Sequence, residues 1–264
     1  MRKAFPTEFV YQLFALIVAA IIVHAIYVAV IRPNADAFLH EQQARIQADP
    51  DYQPERSLSV LVRDYEQEAC FILMLWAFAI MAYKGVATYR ERRLLDDDLL
   101  GIEDLQRIRA EDAHQLSRDL QSLPRRLQGH LLPRALLSGL HRFSATRSVQ
   151  DVSTATREVC ETEAERLESE LSIVRYIAWA IPSIGFIGTV RGIGDALAQA
   201  HQAVEGNITG VTQSLGVAFN STFIALVISI VVMFFVHQLQ LQQERLVLET
   251  ESYCDDHLVR HLAD

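Results

Sequence analysis

Cysteine is scarce in this sequence, with three among 264 residues. Three cysteines do not make a disulfide framework, so we expect reduced thiols at Cys70, Cys160 and Cys254. We find no nucleophile beside a base, no phosphate loop and no convincing metal-ligand cluster, and therefore predict neither an enzyme nor a metal protein. The net charge of −9 argues against nucleic acid as a partner.

Half of the residues are apolar, and many of them are concentrated in four stretches with few charged residues. These stretches cover about residues 9–31, 69–83, 173–200 and 215–236. About 18 apolar residues are enough for a helix to cross ~30 Å of hydrocarbon. The second stretch is short, and we expect Glu68, Lys84 and Thr88 at the membrane interfaces. The sequence therefore predicts an all-α integral membrane protein with four transmembrane helices.

Basic residues set the predicted orientation, because they accumulate at the cytoplasmic ends of membrane helices. Arg2 and Lys3 precede the first stretch, Arg92 and Arg93 follow the second, and Arg175 opens the third. We therefore expect both termini and the long central segment in the cytoplasm.

The segments between the second and third stretches predict a helical cytoplasmic layer. Leucine and isoleucine recur at helical spacing from 94 to 108, which predicts a helix continuing out of the second span. No breaker occurs between Val149 and Pro182, which predicts one unbroken helix entering the third span. Residues 124–143 fit either a basic amphipathic segment on lipid headgroups or a helical hairpin packed on its neighbours. Residues Leu239, Leu246, Val247, Tyr253 and Leu258 place the C-terminal tail in the same layer.

Small residues recur at helical spacing in the last two spans, which favours close packing of helices in lipid. In the third span these are Gly185, Gly188 and Gly192. In the fourth span Ala218 and Ala225 share a face with small hydroxyl residues, which commonly bond to backbone carbonyls. Two consecutive helices with small, weakly polar faces are suited to surround a guest helix or a narrow wet path.

Arg191 needs a partner, because an unpaired arginine at the membrane midplane costs at least about 2.5–3.5 kcal/mol. Asp195 lies four residues on and is the expected partner. Two interpretations of this pair stay open, a structural ion pair and a direct role in an ion path or in partner docking. Asp195 is also the only acid that we place inside a span, so we expect a partner to supply any titrating carboxylate.

The motif Gly188-Thr189-Val190-Arg191-Gly192-Ile193, followed by residues 217–226, resembles the MotA/TolQ/ExbB family of proton-channel proteins. The resemblance is close over about residues 171–240. Thr189 and Thr222 match the two threonines that face the partner in this family, and Ser221 and Asn220 are further candidates for a proton path. Arg191 and Val217 depart from the family pattern.

The resemblance implies a homopentamer in a bacterial inner membrane, surrounding two copies of a single-span partner like ExbD, TolR or MotB. An aspartate of the partner would carry the proton, which is the coupling ion, and no other cofactor is implied. Proton flow would then drive mechanical work on the cell envelope. The alternative is a non-conducting membrane scaffold that has lost proton coupling. The motifs are closest to TolQ and ExbB, with an additional N-terminal transmembrane helix.

These expectations divide the chain into six segments. In order they are an N-terminal transmembrane helix (1–31), a periplasmic loop (32–68), a second transmembrane helix (69–88), a cytoplasmic helical region (89–172), a channel hairpin (173–236) and a cytoplasmic C-terminal helix (237–264).

Overall fold

A computed structural model of the chain describes residues 7–48, 57–101, 107–204 and 206–263. Apart from short connections and an isolated bridge between Ile108 and Leu262, these residues are helical. The α-helices, in chain order, are α1 (Thr7–Ile26), α2 (Arg32–Ala48), α3 (Leu58–Leu61), α4 (Tyr65–Arg92), α5 (Ala110–Ser122), α6 (Arg125–Gln128), α7 (Leu131–Thr146), α8 (Val149–Glu170), α9 (Ser172–Ala198), α10 (Ala200–Val204) and α11 (Thr209–His257).

Four helical stretches are long and apolar enough to cross a membrane. They are Glu8–Arg45, Tyr65–Asp96, Val149–Ala198 and Thr209–His261. Many large apolar side chains on them are exposed, among them Phe14, Phe186 and Ile230, as expected for surfaces that face lipid or another chain. The prediction of an all-α protein with four membrane-length helices is confirmed, and the ring assembly stays a prediction.

The chain divides into two compact units. The first unit comprises residues 1–82 and 173–236, and the second comprises residues 83–172 and 237–264.

In the first unit, the N-terminal helix is longer than the apolar stretch that predicts it. A turn of π-helix, Tyr27–Ile31, joins α1 to α2, so helix continues well into the predicted loop 32–68. Two side chains tie α1 to α4: the Tyr11 hydroxyl donates to the Ala79 carbonyl at 3.1 Å, and the Trp76 indole donates to the Gln12 carbonyl at 2.9 Å.

The second unit has an apolar core formed by α5, α7, α8 and the end of α11. The apolar side of α7 enters this core, and Leu132, Leu136 and Leu140 are almost fully buried. This burial favours the packed hairpin over the headgroup interpretation of residues 124–143, because it leaves no apolar face for lipid. The five predicted tail residues are all buried, which confirms that the tail packs as a helix.

The predicted helix through residues 94–108 is wrong. After α4 the chain makes a 3₁₀ turn, Arg93–Asp96, and then leaves helical geometry. The cause is local competition for backbone donors. The Asp98 carboxylate accepts from the N–H of Leu100 at 3.2 Å and of Gly101 at 2.9 Å, and Gly101 has a positive φ of 58°. The predicted positions Ile102 and Leu105 lie outside the described residues.

The predicted unbroken helix from Val149 to Pro182 is interrupted once, at Leu171, between α8 and α9. The Leu171 N–H bonds to the Glu168 carbonyl at 3.2 Å, a tighter turn than an α-helix makes, while the Leu171 side chain is fully buried. Pro182 then lies inside α9.

Pro182 frees a backbone carbonyl that another helix satisfies. Proline has no N–H, so the carbonyl of Ala178, four residues earlier, loses its helical partner. The Ser229 hydroxyl of α11 donates to this carbonyl at 2.9 Å. Ser229 therefore bonds across to α9 rather than to its own helix, and this explains how an apolar helix accommodates the proline.

We expect Ser229→Ala to lower stability in detergent by about 0.6–1.7 kcal/mol, the range measured for hydrogen bonds between membrane helices. The measurement is the midpoint of thermal unfolding of the purified chain. Ser183→Ala is the matched control, because the Ser183 hydroxyl bonds within its own helix, to the Trp179 carbonyl.

A double-mutant cycle isolates the cause. Pro182→Ala restores an N–H to the Ala178 carbonyl, so Ser229→Ala should have a smaller effect in that background. Equal effects in both backgrounds would show that the serine does not compensate for the proline.

Candidate functional site

Three glycines of α9 allow its backbone to touch that of α11 in the first unit. Gly185, Gly188 and Gly192 are all buried. A Cβ atom at Gly192 would lie 2.8 Å from both the Ala218 nitrogen and the Ser214 carbonyl oxygen, closer than such atoms approach. The missing side chains therefore set how near the two helices lie.

The facing surface of α11 consists of small residues. Ala218 and Ala225 are fully buried. A Cβ at Gly185 would meet Ala225 and would lie 3.1 Å from the Ser221 carbonyl oxygen. The structure thus brings the five predicted packing residues into one contact: Gly185, Gly188, Gly192, Ala218 and Ala225.

A pair of threonine hydroxyls lies in this contact. Thr189 of α9 and Thr222 of α11 are hydrogen-bond partners, and both side chains are half-buried. Each hydroxyl also reaches a carbonyl of the opposite helix. The Thr189 hydroxyl oxygen lies 3.0 Å from the Ala218 carbonyl oxygen, and the Thr222 hydroxyl oxygen lies 3.0 Å from the Gly185 carbonyl oxygen. We call Thr189 and Thr222 the threonine pair.

The threonine pair is better supplied with acceptors than with donors. A hydroxyl carries one proton and two lone pairs, so two protons serve the three contacts described above. Lone pairs remain on the hydroxyl oxygens, which can accept a hydrogen bond from an incoming O–H group. A protonated carboxylic acid or a water molecule is therefore a better match for this pair than a bare carboxylate.

Ser221 and Asn220 do not join the threonine pair. Ser221 is 1% exposed and lies against Gly188, and among the described residues its hydroxyl has no hydrogen-bond partner. Asn220 lines a separate groove of about 720 Å³ on another face of α11, together with α2, α3 and Phe223. The sequence placed these residues together because they are adjacent in the chain, but they point to different sides of the helix.

Arg191 pairs with Glu66 and not with the predicted Asp195. The Arg191 Nη2 atom donates to Glu66 Oε2, and Nε lies by Oε1, each at 2.8 Å. Asp195 is exposed, and no contact with Arg191 is found for it in the part of the chain that the structure describes. The prediction of Asp195 as the partner is therefore wrong. The planar guanidinium binds the carboxylate of Glu66 from α4 with two of its nitrogens, which is a stronger arrangement than a single contact.

Glu66 also touches the contact between α9 and α11. A Cβ at Gly188 would lie 3.2 Å from the Glu66 Cγ and 2.8 Å from the Ser221 hydroxyl oxygen. The neighbouring Asp64 carboxyl precedes α4, and burial raises its pKa above the ordinary value, while the charges of Arg63 and Arg191 oppose this rise. The guanidinium of Arg191 thus faces acids from the start of α4.

A second buried carboxylate, Glu68, was missed as an internal group by the sequence reasoning. It is 8% exposed at its side chain, forms an ion pair with Arg32, and lies 2.6 Å from the His24 Nδ1 atom. The signal available in the sequence was the pair of acids at 66 and 68, just before an apolar run. The apolar run begins at residue 69, so both acids were predicted to lie outside the span.

No group of three or more histidine, cysteine, aspartate or glutamate side chains able to hold a metal occurs in the described ranges. In the second unit, His257 instead stacks on the Tyr253 ring with centroids 4.1 Å apart, and Cys254 is buried.

Four membrane-length helices and a pair of hydroxyls between two of them define a multi-pass helical membrane protein with a polar site inside its apolar part. Residues 128–252 match the model of the MotA/TolQ/ExbB proton channel family, and this part of the chain is similar to that family. The matched range includes both members of the threonine pair. No curated protein matches the chain. No solved structure matches it either.

We expect Gly192→Val to force α9 and α11 apart, because its new atoms would meet the backbone of α11. Overpacking of this kind costs about 1–3 kcal/mol or more. Gly194→Val is the matched control in the same helix, since a Cβ there meets nothing within 4 Å. The unfolding midpoint in detergent should fall by several degrees for the first variant and stay near the wild-type value for the second. Equal midpoints would contradict the backbone contact.

Proposed function

We propose that the chain is the channel subunit, of the stator type, in an inner-membrane motor driven by the proton-motive force. The observation that carries this proposal is the half-buried threonine pair in the contact of two membrane-length helices. The match of residues 128–252 to a proton channel family supports it. The chain would surround the transmembrane helices of an ExbD/TolR/MotB-like partner and couple proton flow to mechanical work on the envelope.

The chemistry of the threonine pair supports a role in holding a protonated acid. Its free lone pairs accept a hydrogen bond, so a neutral aspartic acid on the partner finds a complementary site. Once that acid loses its proton, the carboxylate has only acceptors and meets an acceptor-rich site. Binding would therefore favour the protonated form, and proton release would favour separation, which is the alternation that a motor requires.

The surroundings of the hairpin formed by α9 and α11 support the approach of a partner helix to the threonine pair from one side. On the side of Gly188, residues of α4 cover the contact between α9 and α11. Glu66 lies against Gly188, and the Cys70 thiol approaches the Ile181 carbonyl at 3.6 Å. The threonine pair is on another side and stays half-buried. A partner helix would approach there, inside a ring of five copies with two partner helices at its centre.

The proposal includes an orientation with both termini in the cytoplasm and residues 32–68 in the periplasm. Basic residues at the ends of the apolar stretches support this orientation. Protons are the coupling ion, and the partner supplies the titrating aspartate.

The decisive experiment measures proton flux in proteoliposomes that hold the chain co-expressed with a single-span, aspartate-bearing partner. We expect Thr222→Val to lower flux by roughly twofold to tenfold, because a hydrogen bond between neutral groups contributes about 0.5–1.5 kcal/mol. Thr222→Ser keeps the hydroxyl and should retain most of the flux.

Thr212→Val is the matched control in the same helix. Its hydroxyl is exposed and bonds to carbonyls of its own segment, at Ile208 and Thr209. It should leave flux unchanged. Flux that survives Thr222→Val would argue against the channel role, and a wild-type complex without flux would favour a non-conducting scaffold.

A further inference from the structure

The ion pair between Arg191 and Glu66 joins an exposed guanidinium to a mostly buried carboxylate. The Glu66 side chain is 13% exposed and that of Arg191 is 43% exposed. Both oxygens of the carboxylate engage the guanidinium at 2.8 Å. The two residues are 125 positions apart, so the pair joins α4 to α9.

The pair lies close to the proposed proton site. The Glu66 stem fits in the notch at Gly188, beside Ser221, and these two residues immediately precede Thr189 and Thr222 in the chain. Arg191 follows Thr189 by two residues, which places it on the opposite side of α9. The charge of Arg191 is therefore separated from the threonine pair by about the width of one helix, roughly 10–12 Å.

The other charges nearby do not replace Glu66. Glu68 is already engaged by Arg32 and His24. Asp64 interacts with Arg191 through its charge but has no direct ion pair with it among the described residues, and Arg63 also acts on it. Loss of Glu66 would thus leave most of the positive charge of Arg191 uncompensated beside the hairpin.

We propose that Glu66 is a positioning residue for proton passage: its carboxylate neutralises and holds Arg191, so that the guanidinium charge does not hold the partner's aspartate in its ionised form at the threonine pair. This inference rests on the proposed function. It predicts an asymmetry, since removal of the acid leaves a positive charge that stabilises the carboxylate and opposes its reprotonation, whereas removal of the arginine leaves a negative charge that favours the protonated acid.

The test compares Glu66→Gln, Arg191→Gln and the double variant, each assembled with the aspartate-bearing partner in proteoliposomes. The measured quantity is the proton flux divided by the amount of assembled complex. Glu66→Gln should lower flux about tenfold, the effect of one unit charge at this distance in an effective dielectric constant of about 20. Arg191→Gln should lose clearly less flux than Glu66→Gln. The double variant should regain most of the flux that Glu66→Gln loses.

A purely structural pair gives a different pattern. Both single variants would then lose similar amounts of flux, and the loss would parallel the fall in their unfolding midpoints. The double variant would not regain flux. Glu66→Asp keeps the negative charge, so its flux should exceed that of Glu66→Gln. The control is Glu41→Gln with Arg45→Gln, an exposed pair on α2 that should change nothing.

The outcomes separate the two proposals. Flux in the wild type, loss in Thr222→Val, and equal loss in Glu66→Gln and Arg191→Gln would overturn this inference and leave the channel role intact. A wild-type complex without flux would overturn both.

Discussion

The close approach of α9 and α11 is the constraint on which the site depends. Three positions without side chains let the backbones meet, and only at that distance can a hydroxyl on one helix reach a carbonyl on the other. The same closeness lets Ser229 satisfy the carbonyl that Pro182 frees. Apolar burial adds little to helix association in lipid, so packing and such hydrogen bonds have to hold the hairpin together.

Two carboxylates of α4 in the first unit each meet a guanidinium from another helix. Glu66 meets Arg191, and Glu68 meets Arg32. Unpaired charges would be expensive in a membrane, and a planar guanidinium binds a carboxylate with two nitrogens. The start of α4 thereby becomes the place where the N-terminal helix and the hairpin are both held.

The sequence predicts what is local in this structure and fails where a partner comes from far along the chain. Glycine spacing identified the packing face, and the motif singled out Thr189 and Thr222, because both signals lie within single helices. The partner of Arg191 was sought four residues away, whereas the structure supplies it 125 residues earlier. The helix predicted through residue 108 failed for a different, local reason: apolar spacing favoured it, but the Asp98 carboxylate accepts from the backbone N–H groups of Leu100 and Gly101.

The two sides of the hairpin contact therefore have opposite characters. One side carries a compensated ion pair and is covered by α4, while the other carries neutral hydroxyls with unused lone pairs. A fixed charge beside the hydroxyls would bind a carboxylate permanently and would abolish any difference between its protonated and ionised forms. In the proposed channel, an arginine that is paired and on the far side of α9 would leave the hydroxyls to distinguish those forms by hydrogen bonding alone. The departure of Arg191 from the family pattern is thus compatible with proton coupling, provided that its charge stays cancelled.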